Sequence, residues 1–222
     1  MRTLSTASEL GRETPLVARP GDKFRAVLLF GAPGSGKGTQ GRLLGATPGF
    51  FHCACGDVFR ALDVQSSLGR AFIDYSTRGE LVPDELTVHL WRKRLEEHVA
   101  SSAFRPDHEW LVLDGIPRNV EQARMMKAFV DVSLVLHLRC DDPAVLESRL
   151  ARRASEGSRP DDTCVEIVRR RIAVFESESL GVLDCYARPI VRSIDASAAP
   201  GSVFAEILGH VLSTGDAVSG VT

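Results

Sequence analysis

The segment GAPGSGKGTQ, Gly31 to Gln40, limits what this chain can fold into more than any other. The apolar run Val27, Leu28, Leu29 and Phe30 leads into it and a helical pattern follows, the context a phosphate-binding loop requires. Gly31, Gly34, Gly36 and Gly38 carry no Cβ, so the backbone can turn tightly and aim successive N–H groups at a polyphosphate. Lys37 adds a cation for the β and γ phosphates. The general pattern G-x-x-x-x-G-K-[ST] puts a hydroxyl residue directly after the lysine, whereas here Gly38 stands there and Thr39 follows one position later.

Apolar runs bounded by turn residues predict strands near 26–30, 50–54, 110–114, 132–138 and 190–194, with helical segments between most of them. Such alternation predicts an α/β fold, a parallel sheet with helices on both faces. Pro83 and Asp84 open a helix in which Leu86, Leu90, Leu95 and Val99 form the apolar stripe. Pro143 opens another, through Ala144, Leu146 and Leu150, and Thr163 with Glu166 has the form of a capping box for the next. The polar loop Ala154 to Asp162 between those two helices, flanked by arginines, is a candidate lid.

The 222 residues suffice for one domain, expected over 23–213 between an amino-terminal arm, 1–22, and a frayed tail, 214–222. The arm has no apolar secretory core; Arg2, Arg12 and Arg19 suggest an organellar presequence, but Glu9, Glu13 and Asp22 interrupt it, which leaves a cytoplasmic protein as the expectation. A hydrophobic content of 44% and a net charge of −2 exclude a disordered or membrane-spanning chain and give no basic field for nucleic acid. Five cysteines, Cys53, Cys55, Cys140, Cys164 and Cys185, at irregular spacing argue for free thiols in a reducing compartment. Cys53 and Cys55 lack the second pair that a zinc site needs.

Two further segments carry chemistry. LVLDGIPR, Leu111 to Arg118, is a strand ending in an acid: Asp114 is placed to hold Mg2+ through water, and Arg118, past the turn, to reach an acceptor phosphate bidentately. CGDVFR, Cys55 to Arg60, places Asp57 near a helix start as a cap, with Arg60 one turn on.

Together the three segments resemble the nucleoside monophosphate kinases, the adenylate kinase family most closely, over roughly residues 25–212. The resemblance implies a three-layer P-loop NTPase-type fold with a five-stranded parallel sheet, an acceptor-binding helical insert over about 55–84, a short lid over about 153–163 without structural zinc, and a monomer. It implies an ATP site from Gly34, Ser35, Gly36, Lys37, Gly38 and Thr39 with Arg149 and Arg153. It implies an AMP site in which Arg60 and Arg118 hold the phosphate, Gln122 bonds the adenine, the backbone near Leu81 and Val82 lines the base, Cys55, Gly56 and Gly115 complete the wall, and Arg159 and Arg171 also take part. Arg159 from the lid and Arg171 from the helix leaving it would act on the transferring phosphoryl group with Lys37, Arg118, Arg153 and Asp114. Arg171 is preferred to Arg170 because it leaves Val168, Ile172 and Phe175 on one buried face.

The implied reaction is reversible transfer from Mg-ATP to AMP, giving two ADP. Two departures from the family pattern bear on the acceptor: Cys55 replaces a hydroxyl residue, and Ile116 replaces the aromatic of D-G-[FY]-P-R. A UMP/CMP kinase is the alternative that Cys55 leaves open and Gln122 opposes. A GTPase switch lacks its N-K-x-D guanine-reading segment here, and an inactive nucleotide-binding scaffold conflicts with intact Lys37, Asp114, Arg60 and Arg118.

Overall fold

Runs of β-branched and aliphatic residues too apolar for one wet face make strands buried on both sides, and parallel pairing follows. The computed structural model describes residues 23–155 and 164–214. The strands are β1 (Phe24–Phe30), β2 (Phe50–Ala54), β3 (Trp110–Asp114), β4 (Val130–Arg139) and β5 (Val191–Asp195), all within about two residues of expectation. They form one sheet in the order β2-β3-β1-β4-β5, and every pairing is parallel. Alternate residues of β1 enter opposite cores: Leu28 and Phe30 pack with Trp91, Leu95 and Leu113, while Val27 and Leu29 pack with Leu44, Leu136 and Ile207.

The helices are α1 (Lys37–Gly45), α2 (Cys55–Arg60), α3 (Ser67–Thr77), α4 (Asp84–Ala100), α5 (Val120–Met126), α6 (Pro143–Ser155), α7 (Val165–Val174) and α8 (Pro200–Ser213). After β1 the chain crosses to β2 on one side, and β4 later takes the other side of β1. The order therefore reverses at β1, and the crevice beyond the carboxyl end of β1 is where open α/β sheets bind ligands.

Three local expectations need correction. On α4 the fully buried positions are Thr87, Val88, Trp91 and Leu95; Leu86, Leu90 and Val99 are only partly buried, because Trp91 is the largest group and centres the stripe on itself. Helix α7 starts at Val165 with Cys164 as its N-cap residue, without a side-chain capping bond; Thr163 lies outside the described residues. Asp57 is not a cap: Ala54 holds that position and Asp57 sits inside the first turn of α2, paired with Arg60. The expected arm, the candidate lid beyond Ser155 with Arg159, and the tail beyond Thr214 also lie outside the described residues. No helix among the described residues is long and apolar enough to cross a membrane.

Candidate active site

The loop after β1 enters α1 through Gly36 in the left-handed region, φ 97°, so the first turn of the helix faces outward with its N–H groups and dipole directed at the crevice. Gly34 also has positive φ, 85°, and a Cβ there would lie 2.8 Å from the Leu146 carbonyl oxygen on α6. The loop is thus pressed against α6 at Gly34 and open at Gly36, where nothing lies within 4 Å of the same Cβ position. Lys37 Nζ donates to the carbonyls of Gly31 at 2.6 Å and Ala32 at 3.0 Å, which folds its ammonium back over the loop.

A cleft of about 840 Å³ opens above this loop. It is lined by Gly34, Ser35, Gly36, Lys37, Gly38 and Thr39, by Asp114, Gly115 and Arg118 after β3, by Arg149 and Arg153 of α6, and by Arg171 of α7. Its far end is lined by Gly56 and Arg60 of α2, by Leu81 and Val82, and by Gln122 of α5. The loop after β1, the segments after β2 and β3, and helices α6 and α7 therefore meet in one space, although they lie far apart along the chain. Arg171 faces the cleft, whereas Arg170 turns outward and donates to Glu80 at 2.9 Å.

Burial pushes the Lys37 ammonium down to about 8; Asp114 opposes the shift, and Arg118, Arg171 and Arg153 add to it. Four cations converging on one carboxylate form an anion site: a polyphosphate there would relieve their mutual repulsion and favour the charged form of Lys37. Asp114, 8% exposed at the end of β3, lies 3.3 Å from His52 Nε2 on the neighbouring strand. A Cβ on Gly38 would stand 3.6 Å from Asp114 Oδ2, so the carboxylate lies against the loop. Mg2+ arriving on a nucleotide needs one or two carboxylates plus phosphate oxygens, and Asp114 fits that requirement. Among the described residues no cluster of three or more His, Cys, Asp or Glu is arranged to hold a metal.

Arg149 spends its guanidinium on the loop after β5, donating to the Ala196 carbonyl at 2.6 Å and the Ser197 carbonyl at 3.2 Å. Arg118 is held by its Nε on the Gly115 carbonyl at 2.9 Å, and Arg60 by Asp57. Phe59 and Phe72 stack at 5.0 Å and give the far end an apolar wall. Gln122 is fully buried within its helix packing yet reaches the cleft.

Cys55 and Ile116 do not line the cleft. Cys55 is 0% exposed: at the junction of β2 and α2 its side chain turns into the core, its thiol is pushed up to about 11 mainly by burial, and its neighbours Ala54 and Gly56 face the cleft instead. Ile116 is also 0% exposed and belongs to the same core. The departures at these two positions thus repack the wall from behind.

Two residues near the site escaped sequence reasoning. His52 contacts Asp114 because α1 lies almost on β2: a Cβ on Gly41 would come within 2.3 Å of His52 Nε2, and one on Gly45 within 2.5 Å of His52 Cβ. The glycine pair Gly41 and Gly45, one helical turn apart, was the available signal for that close approach. Asp84 is the other; its sequence setting marks a helix start, yet it accepts bonds from two side chains of the segment after β3.

The family profile described as adenylate kinase matches residues 29–191. An adenylate kinase of Porphyromonas gingivalis is 36% identical over 168 residues, 73% of this chain and 82% of that protein. One from Thermobifida fusca is 36% identical over 177 residues, 77% and 89%. One from Phocaeicola vulgatus is 30% identical over 192 residues, 83% and 97%.

Proposed function

The chain belongs to the adenylate kinase family, and from that premise we propose that its cleft carries the γ-phosphoryl group of Mg-ATP reversibly to AMP, giving two ADP. One observation carries the proposal: Arg118, Arg153 and Arg171, from three separate elements, all bear on Lys37 in a single cleft. Four cations in one cleft suit the combined charge of a triphosphate and a monophosphate gathered end to end.

ATP would lie with its phosphates over Gly34 to Thr39 and its base toward Arg149 and the loop after β5. AMP would enter at the far end, its phosphate held by Arg60 and Arg118 and its base between the Phe59 side of the wall and Gln122. The monophosphate acceptor is already an anion, so no general base is required, and catalysis is alignment plus stabilisation of charge on the transferring oxygens. Lys37, Arg153 and Arg171 would supply that stabilisation, and Arg159 would join them from the segment outside the described residues. Asp114 would hold Mg2+ through water, and the ion would supply positive charge for the phosphates. Arg60, now paired with Asp57, and Lys37, now on the Gly31 and Ala32 carbonyls, would exchange those partners for phosphate oxygens as nucleotides bind.

The domain assignment proposed with this function is one catalytic body with an acceptor-binding segment over about 55–84 and a lid over about 153–163. Closure of that lid would exclude water and spare the phosphoryl group from hydrolysis. A monomer in the cytosol, with its five thiols free, completes the proposal. The test is phosphorus NMR of the protein with Mg-ATP and AMP, and separately with Mg-ADP alone. ADP formed from the first mixture, with ATP and AMP formed from the second, supports the proposal. Release of inorganic phosphate from ATP with AMP untouched overturns it.

A further inference from the structure

Gln122 sits at the base end of the cleft with its amide already half committed. The backbone N–H of Arg118 donates to Gln122 Oε1 at 2.8 Å, and Gln122 Nε2 donates to Asp84 Oδ1 at 2.8 Å. The same Asp84 Oδ1 accepts from Asn119 Nδ2 at 2.8 Å, and Asn119 Oδ1 accepts the backbone N–H of Gln122 at 2.9 Å. Asp84 itself does not line the cleft; it stands behind Gln122 at the first residue of α4.

A side-chain amide can present its oxygen and nitrogen in either order, and a single partner leaves a flip cheap. Here a flip would set the Gln122 NH2 against the Arg118 N–H and its oxygen against the Asp84 carboxylate, donor to donor and acceptor to acceptor. Both clashes fall on a side chain that is 0% exposed, where unpaired polar groups are costly. The amide keeps one lone pair and one N–H for a ligand, in a fixed order.

We propose that Asp84 is a specificity-determining positioning residue: by locking the order of donor and acceptor on Gln122, it makes the cleft select a base edge that offers an amino donor beside a ring acceptor and reject one that offers a carbonyl beside a ring N–H. Adenine has the first edge; hypoxanthine, identical in size and in its contacts with the phosphate arginines, has the second. This rests on the proposed AMP-directed reaction and adds a residue that touches no substrate. Asp84 acts 38 positions from Gln122 in the sequence, through a bond between the start of α4 and the start of α5.

The experiment compares kcat/KM for AMP and IMP with saturating Mg-ATP in the wild type, Asp84→Ala and Asp84→Asn. Asp84→Ala removes the acceptor behind Gln122, and the AMP to IMP ratio falls by about tenfold or more, mostly through KM for the acceptor. Asp84→Asn keeps an oxygen able to accept from both amides, and the ratio returns to within about threefold of wild type. Asp84→Ser, still a good residue for a helix start but too short to reach both amides, shows the same loss as alanine and serves if the alanine variant does not fold. An unchanged ratio in the folded Ala or Ser variant overturns the inference, as does an equal loss of kcat/KM for both acceptors. A wild type that phosphorylates neither AMP nor IMP overturns the underlying reaction instead, so the two failures are told apart.

Discussion

At the phosphate-loop end of the cleft the surface nearest the loop is backbone: Gly34 and Gly36 at positive φ, and the opened first turn of α1, with Lys37 folded over it and Arg153 and Arg171 facing it. At the Gln122 end it is a mesh of side chains, Asp57 on Arg60 and Asp84 on Asn119 and Gln122, held against the stacked Phe59 and Phe72. A backbone cradle grips any polyphosphate alike, because its donors are the same whatever the base attached. A side-chain mesh carries order and shape, so it can choose. On the proposed function the two ends divide the work, transfer at one and choice of acceptor at the other.

The largest expected effect is on transfer. Lys37→Ala should lower kcat by about two to three orders of magnitude, the loss typical of one preorganised donor to a developing charge. The fall should be the same for every acceptor tested in a coupled assay of diphosphate formation; a loss confined to AMP would break the division between the ends.

Second in size is the pH dependence of that same lysine. With its ammonium held at about 8 against an ordinary 10.5, the unfolded chain binds the extra proton between those values. The nucleotide-free protein therefore bears the full cost of the charged lysine below pH 8, and the cost fades as pH rises toward 10.5. Relative to Lys37→Met, wild-type stability should rise by up to about 3 kcal/mol across that window, measured by urea unfolding at matched pH. A flat difference would show that Lys37 has an ordinary affinity for its proton.

A pair of glycine substitutions sharpens the picture of the cradle. Gly34→Ala drives a Cβ to 2.8 Å from a backbone oxygen of α6 and should cost about 2–3 kcal/mol with loss of ATP affinity. Gly36→Ala meets open space and should cost only the left-handed strain, about 1 kcal/mol. Equal effects in thermal melts would mean that the loop does not lean on α6 as described.

The cradle was legible in the sequence because backbone recognition demands glycine at fixed spacing, and a strand before it and a helix after it supply the setting. Strand positions were legible for the same reason that β3 is wholly buried: Trp110 to Leu113 is an apolar run that admits no wet face. The mesh at the other end was less so. Asp84 and Gln122 lie in separate helices, and no local pattern tells a first-turn aspartate from one that accepts two amides across the core. Cys55 was expected against the acceptor base, whereas the turn of the chain from β2 into α2 sends its thiol inward. His52 could be reached only through the room that Gly41 and Gly45 leave for it.

The smallest expected effect concerns the tie between the segment before α4 and the helix α7. Glu80 accepts from Arg170 at 2.9 Å and from Arg78 at 2.9 Å, all on the surface. A double-mutant cycle of Glu80→Gln with Arg170→Met should give a coupling below about 1 kcal/mol in unfolding free energy. A larger coupling would make the two ends of the cleft dependent on each other.

The most direct test of the division is the steady-state kcat/KM for nucleoside diphosphate formation from Mg-ATP with AMP, CMP, UMP and dCMP in parallel, on enzyme freed of contaminating kinases. A preference for AMP of at least about tenfold over UMP is the predicted result, since uracil offers a carbonyl beside a ring N–H where adenine offers an amino donor beside a ring acceptor. A preference for UMP would contradict the assignment of Gln122 and Asp84 as the elements that choose the acceptor, and a preference for CMP or dCMP would contradict AMP as the acceptor.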